Sequence, residues 1–99
     1  MANICTNLFY ASSEKAETID TIRAFIEEHF PDDWHEQSDD FQIEAELYSR
    51  WDFPKSLFED LSNSLSDDST LYMRCLSHEL CNEYACLSVY RDGEWSIGI

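Results

Sequence analysis

Cys75, His78, Cys81 and Cys86 place three thiols and an imidazole close together near the end of the chain, and sulfur with imidazole nitrogen is the donor set of a zinc site. The spacing works against such a site. No Cys-x-x-Cys pair occurs, and on an extended segment Cys75 and His78 have opposite parity, so their side chains leave the strand on opposite faces. The same parity argument separates Cys75 from His78 as nucleophile and base. Cys75, Cys81 and Cys86 therefore read as small buried or half-buried thiols, kept reduced together with Cys5, and the sequence implies no metal and no cofactor.

Carboxylates are the other chemical resource. Glu27, Glu28, Asp32, Asp33, Glu36, Asp39, Asp40, Glu44 and Glu46 lie between Arg23 and Arg50 with no lysine or arginine among them. As calcium ligands they lack the order of an EF-hand, since no glycine interrupts residues 31–40 and the alternate-position pattern is missing. As a general acid and base they fail for a different reason. Glu27 with Glu28 and Asp39 with Asp40 are sequence neighbours, whose side chains diverge instead of converging on a substrate. Ser77 and Ser88 have no nucleophile-elbow glycines, and no glycine-rich phosphate loop exists. The chain reads as a non-enzyme.

What remains is recognition. A net charge of -15 on 99 residues repels phosphates and anionic headgroups, which argues against direct nucleic-acid or membrane binding and for a basic protein surface as partner. Trp34, set among the acids, reads either as the apolar anchor of that contact or as an aromatic folded back over the end of the core. Trp51 reads as core or as a wedge between helix and sheet, and Trp95 as a cap on the sheet edge.

These groups need a scaffold, and the composition provides one: 43% hydrophobic and 14% aromatic residues are too many for a disordered acidic tail. Residues 1–99 fit a single domain. The start, residues 1–15, has no basic segment and no apolar run approaches a membrane span, so the expected localisation is cytoplasmic.

Residues 3–10 read as a strand, followed at Ser12 and Ser13 by helix-cap chemistry and a helix over about 14–29. Its buried stripe is Ile19, Ile22, Ile26 and Phe30, with Phe25 widening it. Residues 31–40 form a polar acidic loop. Phe41, Ile43, Ala45 and Leu47 then alternate with Gln42, Glu44, Glu46 and Tyr48, a strand with one buried and one acidic face. Pro54 opens a second amphipathic helix carrying Leu57, Phe58, Leu61 and Leu65, which ends at residues 66–69. Residues 71–80 and 84–91 are strands divided near Asn82 and Glu83. Asp92-Gly93 is a two-residue hairpin signal that folds the tail back as a last strand. The fold class is α+β, with two helices packed on one face of a mostly antiparallel sheet and a ferredoxin-like topology.

Ser49-Arg50-Trp51 followed by Pro54, a helix with Phe58 and Leu61, strand pairs containing Asn82 and Tyr84, and the Asp92-Gly93-Glu94-Trp95 hairpin resemble the YubB ferredoxin-like domain family over roughly residues 41–97. The opening strand, residues 3–8, matches more weakly. The resemblance implies a small domain found in proteins of mobile elements and bacteria, with no agreed activity. This chain differs in having Phe53 before Pro54 and in its acidity.

Together these features lead to an acidic interaction domain, an inhibitor or DNA mimic of the phage or plasmid anti-defence type that occupies a basic nucleic-acid-binding protein. The expected contact residues are Glu27, Glu28, Asp32, Asp33, Trp34, Glu36, Asp39, Asp40, Glu44 and Glu46. The alternative is a regulatory or small-ligand-binding ferredoxin-like module whose acidity serves solubility alone.

Overall fold

The computed structural model describes residues 4–30, 36–50, 55–79 and 83–97. They form β1 (Ile4–Ser12), α1 (Ala16–His29), β2 (Glu36–Ser38), β3 (Gln42–Arg50), α2 (Lys55–Ser64), β4 (Tyr72–Glu79), β5 (Tyr84–Arg91) and β6 (Glu94–Ile97). The strands make a six-stranded sheet in the order β2-β3-β1-β4-β5-β6, with every neighbouring pair antiparallel. The class is α+β.

Alternation along each strand sorts the residues into two faces. Phe9 lies opposite Ala45 on one side and Cys75 on the other, and Ala11 lies opposite Ile43 and Met73. These residues, with Leu47 and Tyr90, form one buried cluster with Ile19, Ile22, Ile26 and Phe30 of the α1 segment and Phe58, Leu61 and Leu65 of the α2 segment. Both helices therefore bury their stripes on the same face of the sheet. Phe58 is the centre of an aromatic knot, with ring centroids 5.2 Å from Phe9, 5.5 Å from Phe25 and 6.2 Å from Trp95. Trp95 holds the last strand to α2, because its indole Nε1–H donates to Ser62 Oγ at 3.0 Å.

The α1 stripe is buried as its spacing predicts; Leu57 on α2 is only half-buried. Two expectations need correction. Residues 36–38 are not loop: they pair with residues 43–45 as an edge strand, joining through backbone groups that need no apolar side-chain pattern. Phe41 is not core: it is 53% exposed. The Asp39 carboxylate causes this, accepting from the Phe41 and Gln42 backbone N–H groups at 2.8 and 3.1 Å, which pins a tight turn and leaves Phe41 at its tip. The expectations at Trp34, Trp51 and Pro54 lie outside the described residues. Among the described residues no helix is long and apolar enough to cross a membrane.

A polar knot ties the start of α1 to the segment between α2 and β4. Asp68, buried between α2 and β4, accepts from Ser13 Oγ at 2.5 Å, Thr18 Oγ1 at 2.7 Å, Thr70 Oγ1 at 2.6 Å and the Thr70 N–H at 2.9 Å. Ser13 Oγ accepts in turn from the Lys15 N–H at 2.9 Å, so the expected serine chemistry at the start of α1 is present, although the N-cap residue is Lys15. Burial presses the Asp68 carboxyl upward. The hydrogen bonds from Ser13, Thr70, Thr18 and the Thr70 backbone outweigh that pressure and hold it well below the usual carboxylate range.

Asp68→Asn removes the charge while keeping the shape, and is expected to cost on the order of 3 kcal/mol near neutral pH, since the hydroxyl donors lose a charged acceptor. Because the folded pKa is depressed, the unfolded chain takes up the proton first. Stabilisation is complete above the ordinary carboxylate value of about 4 and is lost as pH falls toward the lower folded value. Urea titrations should therefore show the gap between wild type and Asp68→Asn closing below about pH 4. A gap independent of pH would remove the charge from this account.

At the other end of the chain Asp92 and Gly93 have φ of 54° and 81°, the two positive values of a type I′ turn. No atom lies within 4 Å of where a Gly93 side chain would begin, so Gly93→Val is resisted by backbone conformation alone. It should lower stability by about 1 to 2 kcal/mol and weaken amide protection in β6. Unchanged protection at Trp95 and Ser96 would contradict the turn assignment.

Candidate functional site

Among the described residues the second face of the sheet carries no helix. Alternation turns Leu8 and Tyr10 of β1, Glu44, Glu46 and Tyr48 of β3, Tyr72, Arg74, Leu76 and His78 of β4, and Leu87, Val89 and Arg91 of β5 away from the core. Register aligns them in rows across the strands. One row runs Glu46, Leu8, Leu76, Leu87; the next runs Glu44, Tyr10, Arg74, Val89. Leu8 is 43% and Leu76 42% exposed, so this is an open apolar strip at the middle of the sheet with carboxylates along its β3 side.

The side chains around the strip are partly ordered by one another. Arg74 lies over the Tyr10 ring at 4.3 Å and near Tyr72 at 5.9 Å, and Arg91 lies 5.5 Å over Tyr72. Tyr10 donates its hydroxyl to Gln42 Oε1 at 3.1 Å, and Tyr48 donates to the Glu46 carboxylate. Two of the chain's few arginines thus sit on its outer sheet face, stacked on tyrosines, while Glu44 stands exposed beside them.

The expected contact residues do not share one surface. Glu44 and Glu46 belong to the outer sheet face. Glu27 and Glu28 are exposed on α1, in the opposite layer, and Asp39 and Asp40 are exposed at the β2–β3 turn. Asp39 is occupied structurally, and the Phe41 N–H, with the Gln42 side chain and backbone, holds its carboxyl below the usual range. Asp32, Asp33 and Trp34 lie outside the described residues, as does the side chain of Glu36. Leu8 and Leu76 are the site residues that sequence reasoning missed. Their signal was present in the register-to-be: an apolar residue at an outward position on each of two adjacent strands.

On the inner face, Cys5, Cys75 and Cys86 are buried thiols outside any disulfide, and Cys81 lies outside the described residues. Cys75 is fully buried while His78, three positions on, is half-buried on the outer face, so the two do separate as parity predicts. Among the described residues no group of three or more His, Cys, Asp or Glu side chains is arranged to hold a metal ion. A second buried polar group, also missed, lies beside the thiols. Asn7 donates to Leu47 O at 3.2 Å and Ser49 Oγ at 3.0 Å, and accepts from Ser77 Oγ at 2.7 Å. Its bonds stitch β1 to both neighbours, which is a structural task.

A scan against protein-family models, a search of curated proteins and a search of solved structures each return no match to this chain.

Burial pushes the Cys75 thiol up to about 12, with the neighbouring Cys5 and Cys86 adding to the rise and the Ser77 hydroxyl opposing it. At pH 8 its thiolate is then roughly one part in ten thousand. Native protein treated with iodoacetamide should show Cys75 unmodified by peptide mapping, and denatured protein should show it fully modified. Prompt native alkylation of Cys75 would place it in a reactive environment instead.

Proposed function

We propose that this chain is a non-enzymatic acidic interaction domain of the cytoplasm that occupies a basic, nucleic-acid-handling surface on another protein, as a DNA mimic or inhibitor of the anti-defence type does. The observation that carries the reading is the outer sheet face, where Glu46 stands in register with the exposed Leu8 and Leu76 and Glu44 flanks them at the β3 end of the next row, which continues through Tyr10 to Arg74. Carboxylates there steer a basic partner, and the leucines supply the desolvated contact that holds it. A net charge of -15 extends the steering field over the whole molecule. Duplex DNA offers a comparable density of negative charge, about one per 1.7 Å of axis, which makes a DNA-binding groove the natural target.

Part of the same proposal is a ferredoxin-like scaffold related to the YubB family. The antiparallel order β2-β3-β1-β4, with α1 between β1 and β2 and α2 between β3 and β4, supports the ferredoxin-like part of it, and β5 and β6 extend the sheet beyond that unit.

The test is a pull-down from host lysate at about 50 mM and about 300 mM salt, followed by kinetics on whatever is captured. Partners held by charge should be lost at the higher salt and displaced by duplex DNA. Glu44→Lys with Glu46→Lys should slow association, and Leu8→Ala with Leu76→Ala should speed dissociation, each by about tenfold. Binding that ignores salt, DNA and all four substitutions would reduce the acidic face to a solubility coat.

A further inference from the structure

The layer opposite the open sheet face contains a groove of about 410 Å³ between the two helices. Thr21, Ala24, Phe25, Glu28 and His29 line its α1 side, and Leu57, Asp60, Leu61 and Ser64 line its α2 side. Both sets follow helical spacing, with intervals of three and four residues, so each helix gives the groove one longitudinal stripe. From Thr21 to His29 that stripe is about 12 Å long, or roughly two turns.

The chemistry of the stripe is divided by depth. Phe25 and Leu57 are half-buried on the floor, above the buried Leu61, and they pack on the core without being enclosed by it. Glu28 and Asp60 are exposed on opposite banks. Glu28 has the His29 ring nitrogen 3.7 Å away, a partner only when that histidine is protonated. The groove is thus an apolar trough with a carboxylate on each side, near the C-terminal, electronegative end of α1.

We propose that this groove receives an amphipathic basic helix of a partner protein, its apolar side chains at successive turns resting on Phe25 and Leu57 and its lysines or arginines meeting Glu28 and Asp60. Charge complementarity selects this occupant. A second copy of the chain would bring the same negative charge and is repelled, and an anionic ligand is excluded for the same reason. An extended strand finds no backbone edge to pair with between two helices. The inference rests on reading the acidic coat as a recognition device, but it uses a surface separate from the sheet face and is tested separately.

The experiment uses the full chain, labelled for amide NMR, and a synthetic peptide of about four turns made of leucines in a helical stripe with lysines elsewhere. Its leucine–glutamate counterpart is the control. The basic peptide should saturably shift amide signals of Phe25, Glu28, Leu57 and Asp60 and leave Leu8 and Leu76 unmoved, and the acidic peptide should shift none. Glu28→Lys with Asp60→Lys, both exposed and compatible with folding, should weaken binding by about tenfold or more, while Glu44→Lys with Glu46→Lys should weaken it much less. Shifts confined to the sheet face, or lost in the Glu44/Glu46 variant and kept in the Glu28/Asp60 variant, would overturn the groove and leave the acidic-interaction reading intact. Absence of any saturable binding would also overturn it, and the sheet face would then be judged by its own salt and competition tests.

Discussion

One buried carboxylate ties the start of α1 to the segment that leads into β4. Asp68 gathers Ser13 and Thr18, at the start of α1, and Thr70, before β4, around a single negative charge. These residues lie far apart in sequence, and the apolar cluster that joins their segments is non-directional: it specifies that stripes be buried, with little to say about the axial position of each helix. The hydrogen bonds of Asp68 supply that missing coordinate for the start of α1.

Sequence periodicity made most of the scaffold legible. The isoleucine stripe of α1, the alternation of β3 and the Asp92-Gly93 turn are local patterns with one physical reading each, and the helices, strands and hairpin lie where those patterns put them. β2 escaped because Glu36, Gln37 and Ser38 form an edge by backbone bonding, for which no side-chain signature exists. Phe41 has the right parity for the core, and the Asp39 cap, a choice made by a few hydrogen bonds, takes it out. Asp68 sits in a serine- and aspartate-rich stretch that reads as solvated loop, and nothing local reveals its distant partners.

The candidate site was harder to read, for a topological reason. A run of acids contiguous in sequence suggests one acidic surface, but the chain passes from a helix on one side of the sheet, round its β2 edge, to a strand whose free side faces the other way. Glu28 and Glu46 consequently look in opposite directions. Apolar surface accompanies acid in both places: Leu8 and Leu76 on the sheet, Phe25 and Leu57 between the helices. Negative charge alone would repel indiscriminately, whereas charge beside shaped apolar surface selects.

The place of β1 in the sheet also bears on how the molecule is made. It is flanked by β3 and β4, and its buried Asn7 bonds to Leu47, 40 positions later, and to Ser77, 70 positions later. No hairpin satisfies the first strand, so during synthesis it must wait, β-prone, until β3 at residues 42–50 covers one edge and β4 at residues 72–79 the other. Such high contact order makes for slow closure and a long exposure to aggregation. Mutual repulsion among nascent chains, each already crowded with carboxylates before β4 is made, lengthens the time that a half-made sheet can wait safely for its remaining strands.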